Sequence, residues 1–206
     1  METLLLNGSS DEDVERAAEL LRDGAVVAFP TETVYGLGAR ADREAAVERV
    51  YEVKQRPREK KAALLVTGLE SARAYATPFS RAAERLARRF WPGPLTLVVP
   101  GRETEDFVGL RCPDCEVTLR MLELAGVPVI APSANLTGEP PAKSAQEVLD
   151  VFDGKVAAIL DGGRAELGVA STVVRVSPEG IEILREGAVP RDEVLKAAVQ
   201  EPDDSQ

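Results

Sequence analysis

The chain has no histidine among its 206 residues, and that absence removes a good deal of chemistry. Ser-His-Asp and Cys-His nucleophilic catalysis, H-E-x-x-H zinc hydrolysis and the ordinary imidazole proton shuttle are all excluded. Any catalysis should therefore rest on positioned charge instead of a neutral-pH proton relay, a description that phosphoryl and nucleotidyl transfer satisfy. Cysteine is almost as scarce: Cys112 and Cys115 form a single C-P-D-C. A structural zinc site needs four ligands, and neither a second Cys pair nor a His is there to complete one. Redox use of C-x-x-C is commoner, but the flanking pattern is not a thioredoxin-like unit, so the simplest reading is two reduced thiols near a strand end. Long hydrophobic runs are missing too. The start, METLLLNGSSDEDVE, has no basic region and only three consecutive Leu, so it does not read as a signal peptide. No stretch approaches the roughly 18 apolar residues of a membrane span. These absences lead to the expectation of a cytoplasmic protein with no membrane partner. Positive charge is also short overall, 25 Lys and Arg against 35 Asp and Glu, a net charge of −10. A surface built broadly for nucleic acid is therefore disfavoured, and any anion site must be local.

What is present, 44% hydrophobic and 29% charged residues, suits one well-filled domain over residues 1–199 followed by a disordered acidic tail, EPDDSQ, at 200–206. Ser10 and the acids at 11–13 predict a helix carrying Val14, Ala17, Ala18 and Leu21, stopped by Gly24. AVVAF (25–29) reads as a buried strand. Asp42 is the expected cap of a second helix with Val47, Val50 and Tyr51, ending before KQRPREKK (54–61). Further strands are predicted at 62–66, 95–99, 108–111, 127–131, 156–160, 171–176 and 181–184, and further helices at 79–90, 116–125, 145–152 and 191–199. Strands and helices alternate over most of the length, whereas the last two strands are joined by the short turn SPEG, which suits an antiparallel pair. The expected class is therefore α/β with a mixed parallel and antiparallel sheet. YGLG (35–38) is too short a glycine motif to assign.

In open α/β sheets ligands bind beyond strand ends, which directs attention to polar loops that follow apolar strands. Pro30-Thr31-Glu32-Thr33 follows AVVAF, Pro132-Ser133-Ala134-Asn135 follows VPVIA, Arg111 ends DFVGLR and Arg185 ends IEILR. Each alone has a plain explanation as a turn cap or a surface ion pair. Together they offer guanidinium, hydroxyl and amide donors for phosphate or carboxylate oxygens. KQRPREKK adds five cations in eight positions, which would serve a small polyanion. Neither G-x-x-x-x-G-K-[ST] nor G-x-G-x-x-G occurs, so the residues point to an anion-binding α/β domain for a phosphorylated small molecule without a Walker or Rossmann loop.

Seven segments carry a further resemblance: PTETVYGLGA (30–39), KQRP (54–57), FWPGPLTLVV (90–99), PSANLTGEPPAKSAQEV (132–148), ILDGG (159–163), STVV (171–174) and ILREG (183–187). In this order they resemble the YrdC-type family, whose characterised activity is threonylcarbamoyl-AMP synthase, over roughly residues 10–190. The resemblance implies a twisted, open mixed sheet with flanking helices and a concave basic cavity. It implies formation of L-threonylcarbamoyladenylate and pyrophosphate from L-threonine, bicarbonate and ATP. A downstream tRNA threonylcarbamoyl transferase would then modify the adenosine next to the anticodon, with at most a weak contact between this chain and tRNA. Lys54 and Arg56 match the K-x-R motif and are implied to be catalytic. Arg56, Lys60, Ser133, Asn135, Lys143 and Arg185 are implied to bind ATP, and Thr33, Arg111, Ser133 and Ser171 to hold L-threonine, Arg111 at its carboxylate. Mg²⁺ is expected with ATP, held by nucleotide and waters and not by a protein metal site. At 206 residues the chain resembles the single-domain branch of that family.

The sequence departs from the family pattern where Leu65 or Thr67 occupies the region of one usual His and Cys115 replaces another. Two other readings stand beside the synthase. One is carbamoyl-adenylate chemistry on another substrate, as in hydrogenase-maturation proteins. The other is a non-catalytic RNA-binding or ribosome-associated module using KQRPREKK and the helix with Arg81, Arg85, Arg88 and Arg89, against which the net charge of −10 weighs.

Overall fold

The structure, a computed structural model, describes residues 2–76, 79–102 and 106–199. In chain order its elements are β1 (Leu4–Asn7), α1 (Asp11–Arg22), β2 (Val27–Phe29), β3 (Gly36–Arg40), α2 (Glu44–Lys54), β4 (Leu64–Leu65), α3 (Leu69–Ala72), α4 (Arg81–Phe90), β5 (Leu95–Pro100), β6 (Phe107–Arg111), α5 (Glu116–Ala125), β7 (Val129–Ile130), α6 (Ala145–Phe152), β8 (Ala158–Asp161), β9 (Thr172–Ser177), β10 (Gly180–Arg185) and α7 (Arg191–Val199). The expected α/β class with a mixed sheet is what forms. Among the described residues ten strands run in the order β1-β8-β2-β3-β7-β4-β6-β5-β9-β10. Parallel pairs (β1/β8, β2/β8, β4/β6, β5/β9) are interspersed with antiparallel ones, including the β9/β10 pair expected from SPEG. Among the described residues no helix is long and apolar enough to cross a membrane.

Helix starts follow local chemistry. Ser10, Ser80 and Ser144 each accept a hydrogen bond from the amide three residues on, opening α1, α4 and α6. Asp42 does not cap α2: Arg43 occupies that position without a side-chain bond, because the Asp42 carboxylate is held by Arg40, 2.9 Å away at Nη2. Two strands escaped sequence reading. LLLN (β1) leaves Leu4 and Leu5 exposed at the sheet edge and so lacks an alternating pattern. GLGAR (β3) looks like a glycine loop, yet it pairs antiparallel with β2 in the register Val27↔Gly38. A Cβ at Gly38 would collide with the Phe29 ring, so this glycine serves close packing. The tail predicted to be disordered lies outside the described residues, as do the ends of the 79–90 prediction's preceding loop at 77–78.

The two halves of the sheet are covered differently, and this decides where a ligand fits. Around β2 both faces are buried: Val27 and Phe29 pack toward α1 and α5, whereas Val26 and Ala28 pack toward α2 and α6. That double burial explains why AVVAF is apolar without alternation. Around β5 and β9 only one face is covered. Leu95, Leu97, Val99, Val174 and Val176 pack with Leu86 and Phe90 of α4 and Val194 of α7, each full burial contributing about 1.5–3 kcal/mol. Thr96, Val98, Val173 and Arg175 point the other way and line a cavity.

Candidate active site

This cavity, about 470 Å³, is bordered by the segments that follow β2, α2 and β7 and by the end of β10. The turn between β2 and β3 forms one wall. It is buried throughout, residues 30–35, an unusual state for a loop, and its threonine hydroxyls are bonded within it. Thr31 Oγ1 donates to Val34 O (2.6 Å) and lies 2.8 Å from Thr33 Oγ1. Thr33 Oγ1 in turn accepts from Arg111 Nη2 at 2.7 Å. Arg111 ends β6, opposite Leu65 in the β4 register, and is 9% exposed.

The KQRPREKK stretch divides at its second residue. Helix α2 ends in a left-handed turn at Gln55, φ 51°, with Gln55 N bonded to Glu52 O (3.0 Å) and Arg56 N to Tyr51 O (2.8 Å). This is a Schellman ending built without glycine. The reversal separates Lys54 from Arg56. Lys54 is the last helical residue and only 1% exposed; its Nζ donates to Ser133 O, to Asn135 O (2.7 Å) and to Asn135 Oδ1 (3.3 Å). Burial, and then the neighbouring Arg56 charge, pull its ammonium down to about 8. Arg56 instead lines the cavity, its Nε bonded to Lys60 O (2.8 Å), one Nη to Lys61 O (3.1 Å), and its guanidinium 5.9 Å from the Tyr51 ring centre.

After β7, Ser133 reaches the cavity and donates to Asn135 Oδ1 at 2.6 Å, while Asn135 Nδ2 donates to Leu136 O and Glu139 O, both at 2.8 Å. Arg185, at the end of β10, donates from Nη2 to Ser171 O (2.8 Å) and Ser171 Oγ (3.2 Å). Ser171 Oγ is also 2.9 Å from Thr96 Oγ1. Arg185 is an exposed residue, yet its guanidinium loses solvent at the wall, and that desolvation followed by the Arg111 and Arg56 charges lowers its pKa. Gly187 closes this corner. A Cβ there would sit 2.5 Å from Ser171 C and 2.6 Å from Ser171 O, so the glycine of ILREG is what lets β10 lie against the 170–171 backbone.

Of the residues singled out from sequence, Arg56, Arg111, Ser133, Ser171 and Arg185 line the cavity, and Thr33 backs Arg111. Lys54 and Asn135 stand one layer behind and hold the 133–135 loop. Lys60 is exposed and contributes its carbonyl to Arg56 and Tyr51; Lys143 is half-buried beside Gly168. Sequence reading named Lys61 and Glu59 only as members of KQRPREKK and missed Thr96, Val98, Phe107 and Arg175. Arg175 lies 5.4 Å from the Phe107 ring centre and 3.0 Å from Glu182. The alternation in LTLVV and TVVRV held the signal for three of these, since Thr96, Val98 and Arg175 occupy the face opposite the core. Among the described residues the lining carries five cationic side chains and one acid, Glu59. Of the Arg side chains on α4, Arg85 is committed to Ala198 O (2.9 and 2.6 Å), at the end of α7.

Both cysteines are free, Cys112 fully buried just after β6 and Cys115 half-buried before α5. Burial, then Glu32 and Asp114, push the Cys112 thiol up to about 11. Native protein at pH 8 is therefore expected to leave Cys112 unalkylated by iodoacetamide, whereas denaturant exposes it to full labelling, as peptide mass spectrometry would read. Rapid native labelling of Cys112 would contradict this burial.

The family model Sua5/YciO/YrdC, described as telomere recombination, matches residues 19–187. The chain belongs to the Sua5/YciO/YrdC family. A relative from Pyrococcus abyssi named threonylcarbamoyl-AMP synthase is 43% identical over 87% of this chain and 55% of its own length. One of the same name from Bacillus subtilis is 38% identical over 90% of this chain and 56% of its own. This Sua5/YciO/YrdC chain thus spans about half the length of those relatives. The crystal structure of P. abyssi Sua5 complexed with L-threonine matches with a TM-score of 0.89 at 39% identity, covering 96% of this chain and 61% of that one. Of the two departures from the family's sequence pattern, Leu65 lines the cavity and Cys115 precedes α5.

Proposed function

We propose that this chain is a threonylcarbamoyl-AMP synthase, converting L-threonine, bicarbonate and ATP into L-threonylcarbamoyladenylate, pyrophosphate and water. The observation that carries the reading is the convergence of the Arg56, Arg111 and Arg185 guanidiniums on one cavity that also presents Ser133 and Ser171 hydroxyls. Such a site suits two anions held side by side, a carboxylate and a triphosphate. Arg111, steadied by Thr33, is assigned to the threonine carboxylate, with Ser171 and Ser133 nearby. Arg56 and Arg185 are assigned to the phosphates, with Lys60, Lys143 and Asn135 as outer contacts. The threonine amine attacks the bicarbonate carbon and water departs; the carbamate oxygen then attacks the α-phosphorus and pyrophosphate leaves. Guanidinium groups stabilise charge on the leaving oxygens, and alignment supplies most of the remaining rate. No step needs an imidazole.

Among the described residues no group of three His, Cys, Asp or Glu could hold a metal ion. Mg²⁺ is accordingly proposed as part of the MgATP substrate, held by phosphate oxygens and water. A separate tRNA threonylcarbamoyl transferase would consume the product. The synthase reading is favoured over an RNA-binding module because the relatives share the synthase name and the cationic groups converge inward.

The direct test is pyrophosphate release by purified protein with MgATP, omitting L-threonine and bicarbonate in turn. Release that requires both is expected. Release without either, or none with all three, would overturn the proposal.

A further inference from the structure

Behind Arg111, on the side away from the ligand space, lies a carboxylate that the proposed reaction leaves unused. Glu32 is 7% exposed, and its Oε1 sits 2.9 Å from Arg111 Nη2 in an ion pair whose side chains are 10% and 6% exposed. The contact is one of charge and not an aligned hydrogen bond: neither Glu32 oxygen has a hydrogen-bond partner, and Arg111 Nε has none either, among the described residues. A buried carboxylate held by charge alone is costly to keep, since its desolvation is offset only by the pairing. The same residue's carbonyl accepts from Leu167 N (2.8 Å), tying this turn to the 162–170 loop beside the cavity.

Arg111 needs such a partner. On its cavity side stand Arg56 and Arg185, close enough that Arg185 feels both charges, and like charges within one desolvated cavity repel strongly. Thr33 Oγ1 accepts one of the Nη2 hydrogens at 2.7 Å but carries no charge. Glu32 is absent from the cavity lining.

We infer that Glu32 is a positioning residue that holds the Arg111 guanidinium against the repulsion of Arg56 and Arg185, and so sets the affinity of the carboxylate subsite. The inference rests on the synthase reading for the identity of the carboxylate substrate. Removing the charge but not the shape frees Arg111 to tilt and weakens its grip on a carboxylate, while the phosphate-facing groups stay where they are.

Glu32→Gln is expected to raise KM for L-threonine at least about tenfold, with kcat lowered less than about threefold and KM for ATP changed less than about twofold. Glu32→Asp, which keeps the charge but withdraws it by one methylene, should fall between wild type and Glu32→Gln. In an Arg111→Lys background, adding Glu32→Gln should raise KM little further, because the guanidinium it positions is gone. A role confined to stability would lower the active fraction and leave both KM values alone. Unchanged KM for L-threonine, tighter threonine binding, or an equal rise in both KM values would overturn the inference. Should Glu32→Gln fail to fold, the Glu32→Asp result decides: a threonine-specific KM increase supports it and a wild-type KM rejects it. If wild type itself shows no threonine-dependent release, the synthase reading fails first, and that outcome is visible before any variant is compared.

Discussion

Arg56→Ala is expected to lower threonine- and bicarbonate-dependent pyrophosphate release by about 10²–10³-fold at saturating substrates, the usual cost of losing one preorganised charge aimed at a developing anion. The fold should survive. Arg56 is half-buried, and what it contributes locally is two bonds to the carbonyls of Lys60 and Lys61 plus a contact with the Tyr51 ring. Losing these partly exposed contacts costs about 1 kcal/mol, a shift in thermal midpoint of only a few degrees. Arg56→Lys should recover part of the rate, because a point charge remains but cannot bond both loop carbonyls and face the ligand at once. Wild-type turnover in Arg56→Ala would remove this residue from the phosphate assignment.

Lys54→Met should behave differently, although the two residues are separated by a single position. The Lys54 ammonium supplies Ser133 O, Asn135 O and Asn135 Oδ1 from a position that is 1% exposed. A Met of similar length leaves the half-buried Asn135 carbonyl without a donor and Ser133 O with only the Asn135 amide, 3.1 Å away. The net loss in a urea titration, after the relief of burying no charge, is expected at about 1–3 kcal/mol. Turnover should fall as well, because Ser133 is no longer held.

The effect has a pH signature. The folded-state value of Lys54, about 8, lies below the ordinary 10.5. Between those values the unfolded chain therefore binds more protons than the folded one, and Lys54 makes stability rise with pH in that window. Below about 8 both states are protonated and this contribution is constant. The gap in stability between wild type and Lys54→Met should therefore widen from pH 7.5 to 9.5. Subtracting the variant's own curve removes the opposite trend from Cys112, whose thiol is raised to about 11 and makes stability fall through the alkaline range. Parallel curves for the two proteins would show that Lys54 does not titrate there.

The contrast between Lys54 and Arg56 marks how far K-x-R could be read. Spacing alone places two cations at a helix end. It does not reveal that Gln55 turns left-handed without a glycine, which sends one cation under the 133–135 loop and the other into the cavity. Arg111, Ser133 and Arg185 were legible for a simpler reason: each ends or follows an apolar strand, and polar groups at strand ends have few roles besides caps and ligands. Glu32 was legible as an acid of a polar turn beside the site, but without a partner. Its burial and its pairing with Arg111, 79 positions away in the chain, come from the hairpin that folds residues 30–35 inward. Arg175 alternates with the core residues Val174 and Val176, but that such a face lines a cavity and is not plain surface depends on segments remote in the chain.

By itself the sequence determined the chemistry left available, with imidazole catalysis ruled out and guanidinium, hydroxyl and amide donors in its place. It also determined the order of helices and strands nearly throughout, because hydrophobic periodicity and helix caps act between residues close along the chain. Apart from the β9/β10 hairpin, only the tertiary structure decided which strands pair, and therefore that β5 and β9 are covered by helices on one face alone. That one-sided cover turns an ordinary sheet surface into a ligand cavity and brings Arg56, Arg111 and Arg185 together from distant points of the chain. Burial and charge proximity depend on distances between remote segments, and no local pattern encodes those distances.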